Sequence, residues 1–402
     1  MQIKTYNNQT LELDLPAEFA GRNLIALPAL IDPHVHLRTP GAEHKENWES
    51  GAQAALAGGV TCVFDMPNNT PTITNHETWN IKQIIINQQL EKIDIPLNYY
   101  LYIGATGDNG EEIKKIKSSK DQKIIGIKMF MGASTGNLLV ADKEKQEKIF
   151  KLAAELDLVL AIHAEDEFEV QSQKSKIQSP TIKDHSVIRS RKAALVAVKN
   201  AIEMAKKYET KLYICHVSTK EEIELIKQAK KGGIKVYAEV TPHHLYLSES
   251  DYNHLGTLGQ MNPPLRTISD NTALWEAISD GTIDTIGTDH APHTLEEKSR
   301  PYPESPSGVP GIETSLPLLL NAYNNGKISL EKIVELTRTN IEMIFNLTKN
   351  NDWTIIDLDL IKKVKNENLK TKCGWSPFAG MKLKGWPIIT ICNNKQFINL
   401  TI

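Results

Sequence analysis

The chain has 402 residues, 40% hydrophobic, 24% charged and 6% aromatic; this is enough apolar material for a sizeable core and unlike a disordered, collagen-like or coiled-coil composition. Its 46 Lys and Arg against 49 Asp and Glu leave a formal charge of −3, so no net basic field draws it to nucleic acid or anionic lipid. It lacks a signal-peptide pattern, a run of roughly 18 uninterrupted apolar residues and any Cys-x-x-Cys pair among its four cysteines, so a cytoplasmic globular protein with buried thiols is expected.

Residues 1–31 carry short apolar runs between turn residues and read as strands. Eight apolar runs then follow, at 23–36, 59–68, 95–105, 123–132, 156–165, 210–218, 233–244 and 283–293. Most are short, rich in β-branched and aromatic residues and nearly continuous, the pattern of strands buried on both faces of a parallel sheet. Between them, 47–59, 75–93, 142–156, 185–208 and 219–233 carry helical patterning. This alternation predicts an α/β fold, a closed (β/α)8 TIM-like barrel rather than a doubly wound open sheet. Beyond the last long helical stretch, 386–402 alternates like a strand pair with a turn at Asn393 and Asn394. Neither terminal piece can hold a core alone. The two are expected to pair as one small composite β domain, 1–31 with 349–402, beside a barrel spanning 32–348.

Histidines and acids cluster at the carboxyl ends of these runs. His34 and His36 end the first, Asp65 and Asn68 the second, Lys128 the fourth, His163 the fifth, His216 the sixth and Asp289 the eighth, so a barrel gathers them at one mouth. At i and i+2 in a strand, His34 and His36 project to the same face, a spacing that suits metal chelation. His163 and His216 each follow a run too apolar to take an imidazole without a partner, so each is a satisfied core histidine or a ligand; the four together favour the ligand. Lys128 sits within KIIGIKMFM, where a bare ammonium would cost several kcal/mol. Either its head snorkels out, or the amine is neutral or paired. A neutral lysine can add CO2 and become a carbamate able to bridge two cations. Five such groups, with Asp289 a sixth, exceed the needs of one tetrahedral zinc and suit two metals sharing a bridge. Asp289 can touch a metal with one oxygen and exchange a proton with substrate through the other. Arg38 offers a fork for a carboxylate, to which Asn68 and His293 can add donors; each also reads as a surface ion pair, a turn residue or a loop histidine. His290, His243 and His244 stay unassigned.

At these residues the chain resembles the dihydroorotases of the amidohydrolase superfamily, through DPHVHLRTPGAEHKENWESG, GIKMFMGAST, ICHVSTKEEI, MNPPLR, GTDHAPHTLEEK and further segments along nearly its whole length. The resemblance implies that His34, His36 and Asp289 hold one metal, His163 and His216 the other, and Lys128, carboxylated by CO2, bridges them, with zinc the expected ion. It implies that Arg38, Asn68 and His293 bind the substrate carboxylate, helped by Asn262 and by Ser134 or Thr135. The family's Arg-Glu-Pro reads Arg38-Thr39-Pro40 here, and Ile341 replaces a common proline. The implied reaction is the reversible closure of N-carbamoyl-L-aspartate to L-dihydroorotate with loss of water, the third step of pyrimidine synthesis, by a binuclear-metal hydroxide mechanism with Asp289 as general acid and base. A homodimer is expected, and association with other pyrimidine enzymes is open. Competing readings are an allantoinase or hydantoinase-type cyclic amidase, and a non-catalytic homologue acting as a structural partner. Every proposed ligand is present, which counts against the last.

Overall fold

The structure, a computed structural model, describes residues 1–92, 97–119, 123–134 and 137–399. Three strands come first: β1 (Gln2–Thr5), β2 (Thr10–Glu12) and β3 (Leu24–Pro28). Eight more follow: β4 (Leu30–Val35), β5 (Val60–Asp65), β6 (Asn98–Gly104), β7 (Ile124–Phe130), β8 (Val159–His163), β9 (Leu212–Ile214), β10 (Val236–Val240) and β11 (Thr285–Ile286). The last three are β12 (Trp353–Lys363), β13 (Lys382–Cys392) and β14 (Lys395–Ile398).

Strands β4 to β11 lie side by side in chain order, each parallel to the next. The sheet closes on itself where Val35 bridges His290 and the His36 N–H donates to the His290 carbonyl at 2.8 Å. This is the (β/α)8 barrel that the alternation predicts. The helical segments start where their caps place them: Asn47 before Trp48–Ala57, Asp142 before Lys143–Glu155, Ser190 before Arg191–Tyr208, and a Thr219–Glu222 capping box on Lys220–Lys231. Among the described residues, no helix is long and apolar enough to cross a membrane.

The apolar run at 23–36 serves two sheets. Its first half is β3 of the terminal sheet and its second half is β4 of the barrel, divided at Ala29, whose N–H donates to the Asp352 carbonyl at 3.0 Å. The terminal sheet has the order β14-β13-β12-β3-β1-β2, with β12 antiparallel to β3, so the two ends of the chain join edge to edge at that pair in one layer. Asn393 (φ 48°) and Asn394 (φ 65°) turn β13 into β14. Two successive left-handed residues make the type I′ hairpin turn, a conformation that asparagine tolerates.

Inside the barrel, Cys62, Phe64, Tyr102, Val159, Ala161, Tyr213 and Cys215 pack with Phe345, whose ring lies 5.1 Å from Phe64 and 5.3 Å from Tyr213. The alternate residues Val63, Leu160, Ile162, Leu212 and Ile214 belong to the outer core beneath the helices. Apolar side chains thus fill the barrel, leaving the carboxyl ends of the strands for polar ones.

Candidate active site

Strand alternation carries some of the predicted residues to the mouth and backbone strain carries others. Val159 and Ala161 of β8 face inward, and His163 continues that set. On β9 and just beyond it, Tyr213 and Cys215 face inward and Ile214 outward, so a regular strand would turn His216 out towards the helices. Its φ of 40° breaks the alternation, and the ring lies 4.9 Å from His163 and 5.4 Å from His34. Asp289 (φ 47°) and Arg38 (φ 61°) are left-handed too. Each such non-glycine residue costs about 1 kcal/mol or more and persists where its surroundings fix it, as at functional sites.

The mouth holds His34, His36, Lys128, His163, His216 and Asp289, all buried. Asp289 Oδ1 lies 3.0 Å from His36 Nε2 and 3.3 Å from His34 Nε2, and His163 Nδ1 lies 3.1 Å from His216 Nε2. Lys128 Nζ donates to Cys215 Sγ at 3.0 Å and stands 5.1 Å from the Phe130 ring centroid. Among the described residues no carboxylate lies within 4.0 Å of that amine.

The second nitrogen of three imidazoles is fixed by an acceptor. His34 Nδ1 donates to Glu239 at 2.7 Å, His36 Nδ1 to the Asn68 amide oxygen at 2.7 Å and His163 Nε2 to Glu165 at 2.9 Å. The opposite nitrogens therefore carry lone pairs that converge on the mouth, the arrangement that ligating histidines use. Burial opposes ionisation of Glu165, yet Arg189 and His163 hold its carboxyl well below the usual range. Asp289 is likewise held well down, against burial, by His34 and His36. Burial, helped by neighbouring His163, drives His216 well down, and burial lowers His36 to about 4; both are the neutral form that binds metal. His34 runs the other way, held up against burial by Glu239 and Asp289, so its Nε2 offers a lone pair only when a cation takes the place of the proton there. Among the described residues, His216 Nδ1 is a buried nitrogen without a hydrogen-bond partner. The ligand atoms of His34, His36 and Asp289 lie within 4.8 Å of one another, as do those of His34, Cys215 and Glu239. Converging imidazole lone pairs beside an ionised carboxylate fit a divalent cation.

Next to this cluster, His36, Arg38, Asn68, Ser134, Asn262 and Asp289 line one small cavity. Arg38 Nε donates to the Pro292 carbonyl at 3.0 Å, and its Nη2 lies 3.0 Å from His293 Nε2. Thr135 lies outside the described residues. A strap after β12 backs the loop carrying His293: Trp375 Nε1 donates to the His293 carbonyl at 2.7 Å, Thr371 and Lys372 bond Glu46, and the Lys370 and Thr371 N–H groups donate to Glu313. The unassigned histidines are buried as well. His244 Nε2 donates to the Pro263 carbonyl, His243 packs 4.6 Å from His244, and His290 Nδ1 accepts the Gly311 N–H at 3.1 Å.

Sequence reading missed Glu239 and Glu165. An acid inside the apolar strand VYAEV carries the same signal as Lys128 and could have been singled out; Glu165, in the loop HAEDE, carries none.

Strand-end histidines and an aspartate at the carboxyl mouth of a (β/α)8 barrel define a barrel hydrolase. Residues 25–396 match the description "Amidohydrolase family". A dihydroorotase of Methanosphaera stadtmanae is 36% identical over 380 residues, covering 91% of this chain and 84% of its own. The multifunctional protein CAD of Squalus acanthias is 36% identical over 91% of this chain, which is 14% of that longer protein. Among solved structures, an L-hydantoinase (dihydropyrimidinase) from Arthrobacter aurescens superimposes with a TM-score of 0.86 at 27% identity, over 96% of this chain and 87% of its own. The chain belongs to the amidohydrolase family, on its dihydroorotase branch.

Proposed function

We propose that the protein catalyses the dihydroorotase reaction, the reversible closure of N-carbamoyl-L-aspartate to L-dihydroorotate with loss of water. The observation that carries the reading is the juxtaposition of Arg38 and His293 with the histidine–aspartate cluster, an anion-binding pair one cavity away from a hydrolytic centre. His34, His36 and Asp289 would hold one divalent cation and His163 and His216 a second, with a carboxylated Lys128 between them; zinc suits these donors. Such ions supply Lewis acidity and a water acidic enough to be a nucleophile at neutral pH.

The chain's own residues do the rest. Arg38 and His293, with Asn68, Asn262 and Ser134 along the cavity, anchor the carboxylate and align the ring. Asp289 takes a proton from the water that adds to the ring carbonyl and passes it to the ring nitrogen as the C–N bond breaks. In synthesis it returns that proton as water leaves. Glu239, Glu165 and Asn68 keep the imidazole lone pairs aimed inward. We place the protein in the cytoplasm as a homodimer.

Carbamoyl aspartate, dihydroorotate, allantoin and a hydantoin assayed side by side, with metal analysis of the same sample, test this reading. Turnover of the first two is expected. A metal-replete protein that ignores both overturns it, and turnover of the hydantoin instead assigns the site to the other cyclic amidases.

A further inference from the structure

His293 is fully buried and touched on both ring nitrogens. Nε2 lies 3.0 Å from Arg38 Nη2 and 3.1 Å from the Ser307 carbonyl oxygen. Nδ1 lies 3.1 Å from Lys45 Nζ and 3.7 Å from Glu297 Oε2, while Lys45 Nζ itself pairs with Glu297 Oε1 at 3.1 Å. Burial together with Arg38 and Lys45 keeps the ring neutral, so it carries one N–H.

The two tautomers are not equivalent in this setting. With the proton on Nδ1, the bare Nε2 would accept from Arg38, but the N–H would face the Lys45 ammonium at 3.1 Å with Glu297 Oε2 at 3.7 Å, beyond hydrogen-bond length, and Nε2 would also face the Ser307 oxygen; two short contacts would be repulsive. With the proton on Nε2, the ring donates to Ser307 and accepts from Lys45, and both are satisfied. The cost of this arrangement is that Nε2–H and the Arg38 Nη2–H become two donors 3.0 Å apart. An incoming carboxylate relieves that contact, because its two oxygens accept from both.

We propose that Lys45 is a positioning residue: by donating to Nδ1 it holds His293 as the Nε2–H tautomer, which completes with Arg38 a two-donor fork for the substrate carboxylate. This rests on the dihydroorotase reading. Without Lys45, no ammonium stands between Nδ1 and the Glu297 carboxylate, 3.7 Å away. Glu297 draws the proton there and leaves a bare nitrogen lone pair against the substrate carboxylate.

The test uses Lys45→Met, which keeps most of the half-buried stem and removes the donor, and Lys45→Arg, which restores a donor. Histidine-selective 15N labelling, with His293→Asn to assign the resonance, reads the tautomer directly. We expect Nε2–H in the native protein and Nδ1–H in Lys45→Met. We also expect KM for dihydroorotate to rise about tenfold or more, with kcat changed less, and partial recovery in Lys45→Arg; one hydrogen bond to a charged group is worth about that factor. An Nδ1–H signal in the native protein, an unchanged tautomer in Lys45→Met, or a KM within twofold of native overturns the proposal. If the native protein does not turn over dihydroorotate, the functional reading fails, and the 15N spectra still decide the tautomer.

Discussion

Replacing Glu165 with Gln tests whether the carboxylates behind the imidazoles serve a metal. The substitution keeps the size and an acceptor oxygen for His163 Nε2, now 2.9 Å from Glu165, but removes a buried negative charge that also pairs with Arg189. A hydrogen bond to a charged group contributes about 1.5–3 kcal/mol, and a neutral amide makes the opposite ring nitrogen a weaker base. In the variant the Arg189 charge is also left uncompensated beside His163. The expected loss is roughly 10- to 100-fold in affinity for the ion that His163 and His216 would hold, with less effect on the one that His34, His36 and Asp289 would hold. Titration of the loaded protein with a graded chelator, followed by elemental analysis, reads this as a drop from two ions towards one at a chelator level that leaves the native protein full. Circular dichroism checks that the variant is folded. Affinities within twofold of native at both positions would refute the reasoning.

Three further outcomes are expected. Asp289→Ala should lower kcat by about 10²–10⁴-fold, the usual worth of a general acid–base group, and normal turnover in steady-state assays would refute its role. Arg38→Ala should chiefly raise KM, by about 10- to 100-fold, because it removes binding shared by ground and transition states; an equal fall in kcat would contradict that. Glu313 is pushed up from 4.5 to about 7, by burial first and with Glu46 adding. The folded protein therefore binds more protons than the unfolded chain between those values, so the stability due to Glu313 is greatest at the acid end and is lost as pH rises through the window. Glu313→Gln should flatten the pH dependence of urea stability there, by at most about 3 kcal/mol. Parallel curves for native protein and variant would count against it.

The barrel was legible because short apolar runs recur eight times and need both faces buried, and because four of the helices between them start at a capping residue. The cluster was legible for a related reason: an imidazole or amine at the end of an apolar run has to be partnered, and a barrel brings such ends together. The division of 23–36 at Ala29 was not legible, since both halves are equally apolar and the choice of sheet depends on strands more than 300 residues away. Nor was the inward turn of His216. A positive φ in a non-glycine residue leaves no mark in composition and is imposed by packing around it. Glu165 and Lys45 look like ordinary charged residues until tertiary contacts set them against His163 and His293.

The strap on which Trp375 sits has a consequence for how the molecule is completed. On the ribosome, every residue of the histidine–aspartate cluster emerges well before residue 375, yet the loop bearing His293 receives its backstop from Trp375 and its flanking clasp from residues 370–372. The residues of the proposed metal centre are thus all made before the strap that backs the proposed carboxylate-binding loop, and a chain shortened before residue 370 would lack that backing altogether.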